Sequence, residues 1–253
     1  MLKDIVLVIG MHRSGTSLTT RIVNIMGYTI GNKADIIEAD AGNPTGYWEH
    51  RSFVSLNRKL LATYLMPEVF SNFLFPKLKQ KAAELILSFK DCRRIVLKDP
   101  IASITLPFWI DVIKRSITRG EGVKISIIIC VRNPLDVSKS LQNRGLFVKN
   151  INCRLWEKYM SSAIKNSDGL PRYIIHYEHY FDEHLGGIIS ELSSFLDVET
   201  LSSGKINEIK QFINPALRES NVGDKIWSYN LSRNVKALYS DMINQNTNAV
   251  FPQ

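Results

Sequence analysis

The sequence predicts an α/β fold of the three-layer α/β/α kind, in which a central parallel sheet lies between two layers of helices. Two features of the chain indicate this architecture. Short apolar runs without alternation, typical of strands buried on both faces of a parallel sheet, recur along the chain, and segments with helical periodicity separate them. Strands and helices in that order are the pattern of a parallel sheet covered on both sides.

The apolar runs define the strands, and apolar residues at helical spacing define the helices. Predicted strands cover residues 5–9, 94–97, 124–131 and 173–177. The run KISIIICV is the longest, which favours a central position in the sheet. Predicted helices cover residues 18–26, 53–64, 77–89, 107–117, 134–142, 156–164 and 184–195. The chain from residue 202 onward is mixed in character, and residues 212–223 are predicted to be irregular.

The helix at 134–142 has a complete start signal. Asn133 is a favoured N-cap residue, Pro134 suits the first helical position, and Asp136 complements the helix dipole in the first turn. Arg132 stands just before this start, at the end of the longest apolar run. Its guanidinium is therefore placed to bind an anion such as a phosphate in bidentate fashion.

The loop after the first strand, residues 10–17 (GMHRSGTS), has the glycine spacing of a P-loop, so the predicted fold is P-loop-like. Thr16 occupies the position at which a nucleotide triphosphatase carries its phosphate-binding lysine, and Arg13 supplies the charge instead. Gly15 allows the backbone to curl, and the hydroxyls of Ser14, Thr16 and Ser17 lie at the same helix start. The loop is predicted to bind a phosphate or sulfate group; a tight strand-to-helix turn is the simpler alternative.

The ends of the predicted strands are the candidate walls of a ligand site, because ligands bind beyond the carboxyl ends of the strands in open parallel sheets. Three of the four ends present a cation: Arg13 in the first loop, Lys98 after the second strand and Arg132 after the third. The fourth end presents Tyr177 and Glu178. Together they predict a site for an anionic ligand.

Composition agrees with one α/β domain spanning residues 1–253. The formal net charge of +8 and pI near 9.3 indicate an anionic ligand, but the basic residues are dispersed and no nucleic-acid-binding motif is present. The three cysteines are widely spaced and show no metal-binding pattern, so we expect reduced thiols and no metal. The first apolar run is too short for a signal peptide or a membrane span, which predicts a cytoplasmic protein.

Several motifs together resemble the superfamily of sulfotransferases that use 3'-phosphoadenosine 5'-phosphosulfate (PAPS). They are HRSGTS at 12–17, GYWE at 46–49, LKDP at 97–100, VRNP at 131–134 with a serine at 140, and YIIHYE at 173–178. The chain is similar to a bacterial-type branch with an HRSGT first loop, and to the tyrosylprotein and carbohydrate sulfotransferases. The resemblance implies a single sulfotransferase-like domain that moves a sulfuryl group from PAPS to a hydroxyl, without a metal.

The resemblance also implies roles for individual residues. Arg13, Ser14, Gly15, Thr16 and Ser17 would bind the 5'-phosphosulfate of PAPS. Arg132 and Ser140 would bind its 3'-phosphate; helical spacing by itself does not choose between Ser138 and Ser140. Lys98 would help to hold the sulfuryl group, Tyr177 would lie near the adenosine, and Arg218, in a late NPALR segment, would reach the donor or acceptor.

The acceptor hydroxyl needs a general base. Glu49, just before a predicted helix, resembles by context the catalytic glutamate of the tyrosylprotein branch, although a helix-start carboxylate favoured by the dipole is the structural alternative. His50 is a rival because its ordinary pKa suits neutral pH. Asp35, Glu38 and Asp40 lie on the same polar stretch.

Two other functions compete with the sulfotransferase. A P-loop kinase-like enzyme requires the lysine that Thr16 replaces. A non-catalytic nucleotide- or sulfate-binding module would keep the anion-binding loop without turnover. The acceptor is not readable from the residues: a carbohydrate, a lipid-linked glycan and a small metabolite all fit, and a bacterial cytoplasmic enzyme would favour glycan precursors.

Overall fold

The computed structural model describes residues 1–40, 43–117, 122–146, 148–217, 229 and 231–244, without the side chains of 68–73 and 217. Four strands occur in this part of the chain: β1 (Asp4–Gly10), β2 (Arg94–Lys98), β3 (Lys124–Val131) and β4 (Arg172–His176). The helices described are α1 (Thr16–Ile25), α2 (Arg51–Leu65), α3 (Pro67–Ser88), α4 (Ala102–Ser116), α5 (Pro134–Gln142), α6 (Lys149–Asn166), α7 (Leu185–Phe195), α8 (Ser203–Phe212) and α9 (Arg233–Asn244). Short 3₁₀ segments cover Lys33–Asp35, Tyr177–Phe181 and Pro215–Leu217.

The four strands form one parallel sheet in the order β2-β1-β3-β4. β1 pairs with β2 on one side and with β3 on the other, and β4 pairs with the outer edge of β3. The predicted parallel sheet is confirmed, and β3 lies inside it as its uninterrupted apolar run indicated. All four carboxyl ends therefore open at the same edge of the sheet.

Side chains alternate between the two faces of the sheet and build a core on each. Ile5, Leu7 and Ile9 of β1 enter a hydrophobic cluster with α2, α3, α4, α6 and α9. Val6 and Val8 enter a second cluster with α1, α7 and α8. Helices thus cover both faces, which confirms the three-layer α/β/α prediction. None of the helices described is both long enough and apolar enough to cross a membrane.

Several helix boundaries differ from those that the sequence indicated. Helix α3 begins at Pro67 and contains Pro76, and α4 begins at Ala102 and contains Pro107, whereas the sequence predicted that these helices begin at residues 77 and 107. Helix α6 starts at residue 149 and not at 156. The C-terminal helices α8 and α9 were not predicted. Packing on the sheet accounts for these differences: Leu106 and Trp109 of α4, for example, are fully buried around Pro107.

Glycine is required where β1 ends against β3. Gly10 has φ +141°, and a Cβ placed there would lie 2.5 Å from the carbonyl oxygen of Cys130. Its N–H donates to Ser103 Oγ at 2.9 Å, and that hydroxyl donates back to the Gly10 carbonyl at 3.0 Å. This double contact fixes the point at which the following loop leaves the sheet.

We therefore expect Gly10→Ala to lower the free energy of unfolding by about 1–3 kcal/mol, because a Cβ at this positive φ clashes with the neighbouring strand. Chemical denaturation measures the change. Gly187→Ala is the matched control: Gly187 lies in α7 with nothing near its added Cβ, so alanine should be neutral or stabilise by about 0.5–1 kcal/mol. Equal effects of the two substitutions would contradict the assigned role of Gly10.

Candidate active site

A cavity of about 520 Å³ opens at the carboxyl edge of the sheet. It is of the size that small-molecule sites have in proteins. All four strand ends contribute to its wall, and the contributing residues are His12, Arg13, Gly15, Thr16, Ser17, Lys98, Asp99, Arg132 and Tyr177. The sequence-predicted strand-end cations therefore do meet at one place, as the topology requires.

The loop between β1 and α1 forms the floor of this cavity. Arg13 has φ 69° and Gly15 has φ 87°, so the backbone turns twice through the left-handed region before α1 starts at Thr16. No side chain caps the N-terminus of α1. Its first backbone N–H groups and the positive end of its dipole are thus available for an anion. A Cβ at Gly15 would lie 2.5 Å from the Tyr177 ring, so only glycine lets that ring approach.

Four of the predicted donor-binding residues touch one another in a chain. The buried Arg132 guanidinium donates to the carbonyl of Arg13 at 3.0 Å and lies 4.3 Å from the centre of the Tyr177 ring. Arg13 Nε donates to Ser140 Oγ at 2.8 Å. Ser138, the alternative on the same helix, contacts the side-chain amide of Asn152 instead. The structure thus joins the first loop to β3 and α5 through two arginines.

A second group joins β2 to the segment before α2. Lys98 Nζ forms a salt bridge with Glu49 Oε1 at 2.5 Å and donates to Ser17 Oγ at 3.1 Å. The two charged side chains are only 3% and 13% exposed, so solvent screens their attraction weakly. Glu49 and Lys98 lie beside the N-terminus of α1. Both residues and the first residues of α1 line the cavity.

The other candidate bases lie elsewhere. His50 caps α2, where its Nδ1 accepts from a backbone N–H, and burial lowers its pKa. It lines a separate groove of about 680 Å³, together with Asp35. Glu38 is exposed, and Asp40 accepts a hydrogen bond from the Tyr47 hydroxyl at 2.9 Å. Of these five candidates, Glu49 alone is among the described residues that line the cavity.

Two titratable residues of the site had no role in the sequence analysis. Burial, and next the charge of Glu49, raise the pKa of Asp99 to about 7. Burial, and next the charges of Lys98, Arg58 and Arg13, lower the pKa of His12 to about 4. Both residues belong to motifs that the sequence displays, LKDP and HRSGTS. Their shifted pKa values arise from burial and from neighbouring charges, and a sequence motif reveals neither of these causes.

Further cavity residues come from parts of the chain with no recognisable signal. Arg58 on α2 and Arg144 after α5 add two cations to the wall. Trp48 packs instead against Phe212 and the Arg21 guanidinium, so it serves the core and not the cavity. Arg218 lies outside the described residues, although Asn214 and Ala216 of the same segment line the cavity.

Neither a protein-family model nor a curated protein matches this sequence. Sulfotransferase structures are among the solved structures that share its fold. The sulfotransferase domain of the olefin synthase from Synechococcus PCC 7002 is 16% identical, with a TM-score of 0.57 over 95% of this chain and 94% of that one. Sulfotransferase STF9 from Mycobacterium avium is 10% identical, with a TM-score of 0.53 over 99% of this chain and 78% of that one. The chain therefore has the fold of sulfotransferase domains.

The raised pKa of Asp99 makes a prediction about stability. The folded protein holds a proton on this carboxyl between pH 4 and 7 that the unfolded chain releases, so this contribution is fully present below pH 4 and is lost as the pH rises through about 7. Asp99→Asn cannot ionise. Its free energy of unfolding, relative to wild type, should therefore increase across this interval by up to about 4 kcal/mol.

Urea unfolding of both proteins at pH steps from 4 to 8 measures the difference. The buried histidines titrate in part of the same interval, but their contribution is common to both proteins and cancels. A difference that does not change with pH would show that Asp99 titrates normally.

Proposed function

We propose that this protein is a PAPS-dependent sulfotransferase, which transfers the sulfuryl group to an acceptor hydroxyl of a carbohydrate or glycan precursor. The observation that carries the proposal is the position of the Lys98–Glu49 pair, within hydrogen-bond reach of the α1 start and beside the Arg13–Arg132–Ser140 contacts. One side of the cavity suits an anionic donor, and the Glu49 carboxylate, paired with Lys98, lines the same space. The sulfotransferase fold supports this interpretation.

The donor carries two anionic ends, and the cavity offers two cationic regions. The uncapped start of α1, with Arg13 and the hydroxyls of Thr16 and Ser17, suits the 5'-phosphosulfate. Arg132 and Ser140 suit the 3'-phosphate, because a guanidinium and a hydroxyl form charge-assisted hydrogen bonds to phosphate oxygens. The Tyr177 ring, which lies against the Arg132 guanidinium, would contact the adenosine that joins the two anionic ends of the donor.

Sulfuryl transfer would form a bond from the acceptor oxygen to sulfur while the bond from sulfur to the bridging phosphate oxygen breaks. Negative charge then develops on that bridging oxygen, and preorganised cations lower the barrier. Lys98 would stabilise this charge from its position beside Ser17, and the Arg13 guanidinium would do so after leaving Ser140 Oγ, to which it donates in the structure. Glu49 would take the proton that the acceptor hydroxyl releases.

The Lys98–Glu49 salt bridge suggests how the site changes when the donor enters. Lys98 also donates to Ser17 Oγ, at the edge of the proposed 5'-phosphosulfate site. A sulfuryl oxygen there would compete with Glu49 for the ammonium group. We propose that the donor takes over Lys98 and leaves the Glu49 carboxylate able to accept a proton.

The contact between Lys98 and Ser17 also bears on the kinase alternative. A P-loop kinase uses the hydroxyl at this position to bind Mg²⁺ beside the phosphates. Here a lysine ammonium lies 3.1 Å from that hydroxyl, and Thr16 stands in place of the P-loop lysine. A cation already at this point disfavours a metal there. The paired carboxylate disfavours a purely binding module, which needs no base.

Donor binding is the first test. In calorimetric titrations, adenosine 3',5'-bisphosphate should bind wild type more tightly than ATP with Mg²⁺. Arg132→Ala should weaken the binding of adenosine 3',5'-bisphosphate about 10- to 100-fold, because a charge-assisted hydrogen bond to the 3'-phosphate is lost. Lys59→Ala, which removes one positive charge in the separate groove, should leave the affinity unchanged. Tighter ATP binding that Arg132→Ala does not affect would favour the kinase-like enzyme.

The base is tested with Glu49→Gln. Transfer of labelled sulfuryl from PAPS to a panel of carbohydrate acceptors should fall about 100-fold or more, since the amide cannot accept the proton. Affinity for the bisphosphate should change little. Asp35→Asn is the control, because Asp35 lies in the other groove. Full activity in Glu49→Gln, combined with loss in His50→Gln, would assign the base to His50.

A further inference from the structure

We propose that His179, Asp182 and His184 form a binding site for a divalent transition-metal ion of the zinc class. The three side chains each offer one ligand atom, and these atoms lie within 4.8 Å of one another. They belong to the 3₁₀ segment Tyr177–Phe181 and to the turn that leads into α7. Neither the sulfotransferase motifs nor the cavity uses any of the three.

The local structure already gathers these ligands. The Asp182 carboxylate accepts from the backbone N–H of His184 at 2.9 Å and lies 2.8 Å from the His184 ring nitrogen Nδ1. The rings of His179 and His184 stack at 4.6 Å between centroids. The buried His176 ring lies 5.1 Å from the His179 ring on its inner side. The three residues are therefore already close together, and the two stacked rings must turn so that one nitrogen of each points at the ion.

The chemistry of the three ligands selects the kind of metal. Two imidazoles and one carboxylate suit zinc, nickel or copper, whereas magnesium and calcium prefer oxygen ligands throughout. Tetrahedral zinc with bonds of about 2.1 Å requires ligand atoms about 3.4 Å apart. Asp182 and His184 Nδ1, at 2.8 Å, must separate slightly, and the ligand atoms that lie farther apart must approach one another. Side chains that are 57% and 40% exposed, as His184 and Asp182 are, have room for that adjustment. Water would take the fourth position.

Such an ion would stabilise the 3₁₀ segment Tyr177–Phe181, which forms one wall of the cavity. The segment Tyr177–Phe181 is already fixed on its inner side, where the buried Tyr180 hydroxyl lies 2.8 Å from Thr19 Oγ1 of α1. Phe181 packs on Tyr177 at 5.0 Å, and both line the cavity. Of the three proposed ligands, His179 belongs to this segment, and Asp182 and His184 lie in the turn between it and α7. An ion that joins His179 to His184 would tie this segment to α7.

Calorimetric titration of the untagged protein with Zn²⁺ tests the site. We expect one Zn²⁺ per chain, and at least tenfold weaker binding in His184→Ala and in Asp182→Asn. Glu183→Gln is the matched control: it removes one exposed negative charge between the two ligands but no member of the cluster. Co²⁺ in place of zinc should give visible d–d absorption in wild type and in Glu183→Gln, and this absorption should be lost in His184→Ala.

Thermal unfolding supplies a second readout that does not depend on activity or on the donor. Zn²⁺ should raise the melting temperature of wild type and of Glu183→Gln, since an ion that binds only the folded state stabilises it. It should not do so in His184→Ala. Zinc affinity unchanged in His184→Ala, or reduced equally in Glu183→Gln, would overturn the proposal, because the ion would then bind elsewhere or respond only to local charge. Mg²⁺ should have no effect in any of these proteins.

Discussion

The position of the Arg132 guanidinium is the constraint on which the rest of the site depends. It is nearly fully buried, and it is held between the carbonyl of Arg13 and the ring of Tyr177. A buried cation is costly unless hydrogen bonds and an aromatic face replace its water. The first loop supplies the carbonyl by turning through positive φ at Arg13, and Gly15 lets Tyr177 approach. Loop, sheet end and ring therefore hold one another in place.

The charges around this contact explain the behaviour of the neighbouring groups. Among the described residues, five cations line the cavity: Arg13, Arg58, Lys98, Arg132 and Arg144. Burial, and next the charges of Lys98, Arg58 and Arg13, lower the pKa of His12, whereas burial and the charge of Glu49 raise the pKa of Asp99. A cavity with this charge distribution attracts an anion. Charge placement is thus the main chemical property of the site.

The likeness to solved sulfotransferase structures concerns the backbone, at 16% and 10% identity. Proteins of one fold have many different activities, so the function depends on the side chains that line the cavity of this chain. The groove that contains His50 and the cluster of His179, Asp182 and His184 lie outside this cavity. The cluster is of particular interest because its segment also carries Tyr177.

The three-layer fold, the loop after β1 and the residues at the strand ends are all readable from local sequence patterns. Helix α5 was predicted to the residue, because Asn133, Pro134 and Asp136 are local signals that act within one turn. Local patterns do not show which residues of the segment before α2 line the cavity: Glu49 lines it, whereas the adjacent His50 lines the separate groove. The tertiary structure decided this difference, and it also decided the starts of α3 and α4, the titration of Asp99 and the gathering of three metal ligands. These features depend on burial and on distances between residues far apart in the chain, which no local pattern encodes.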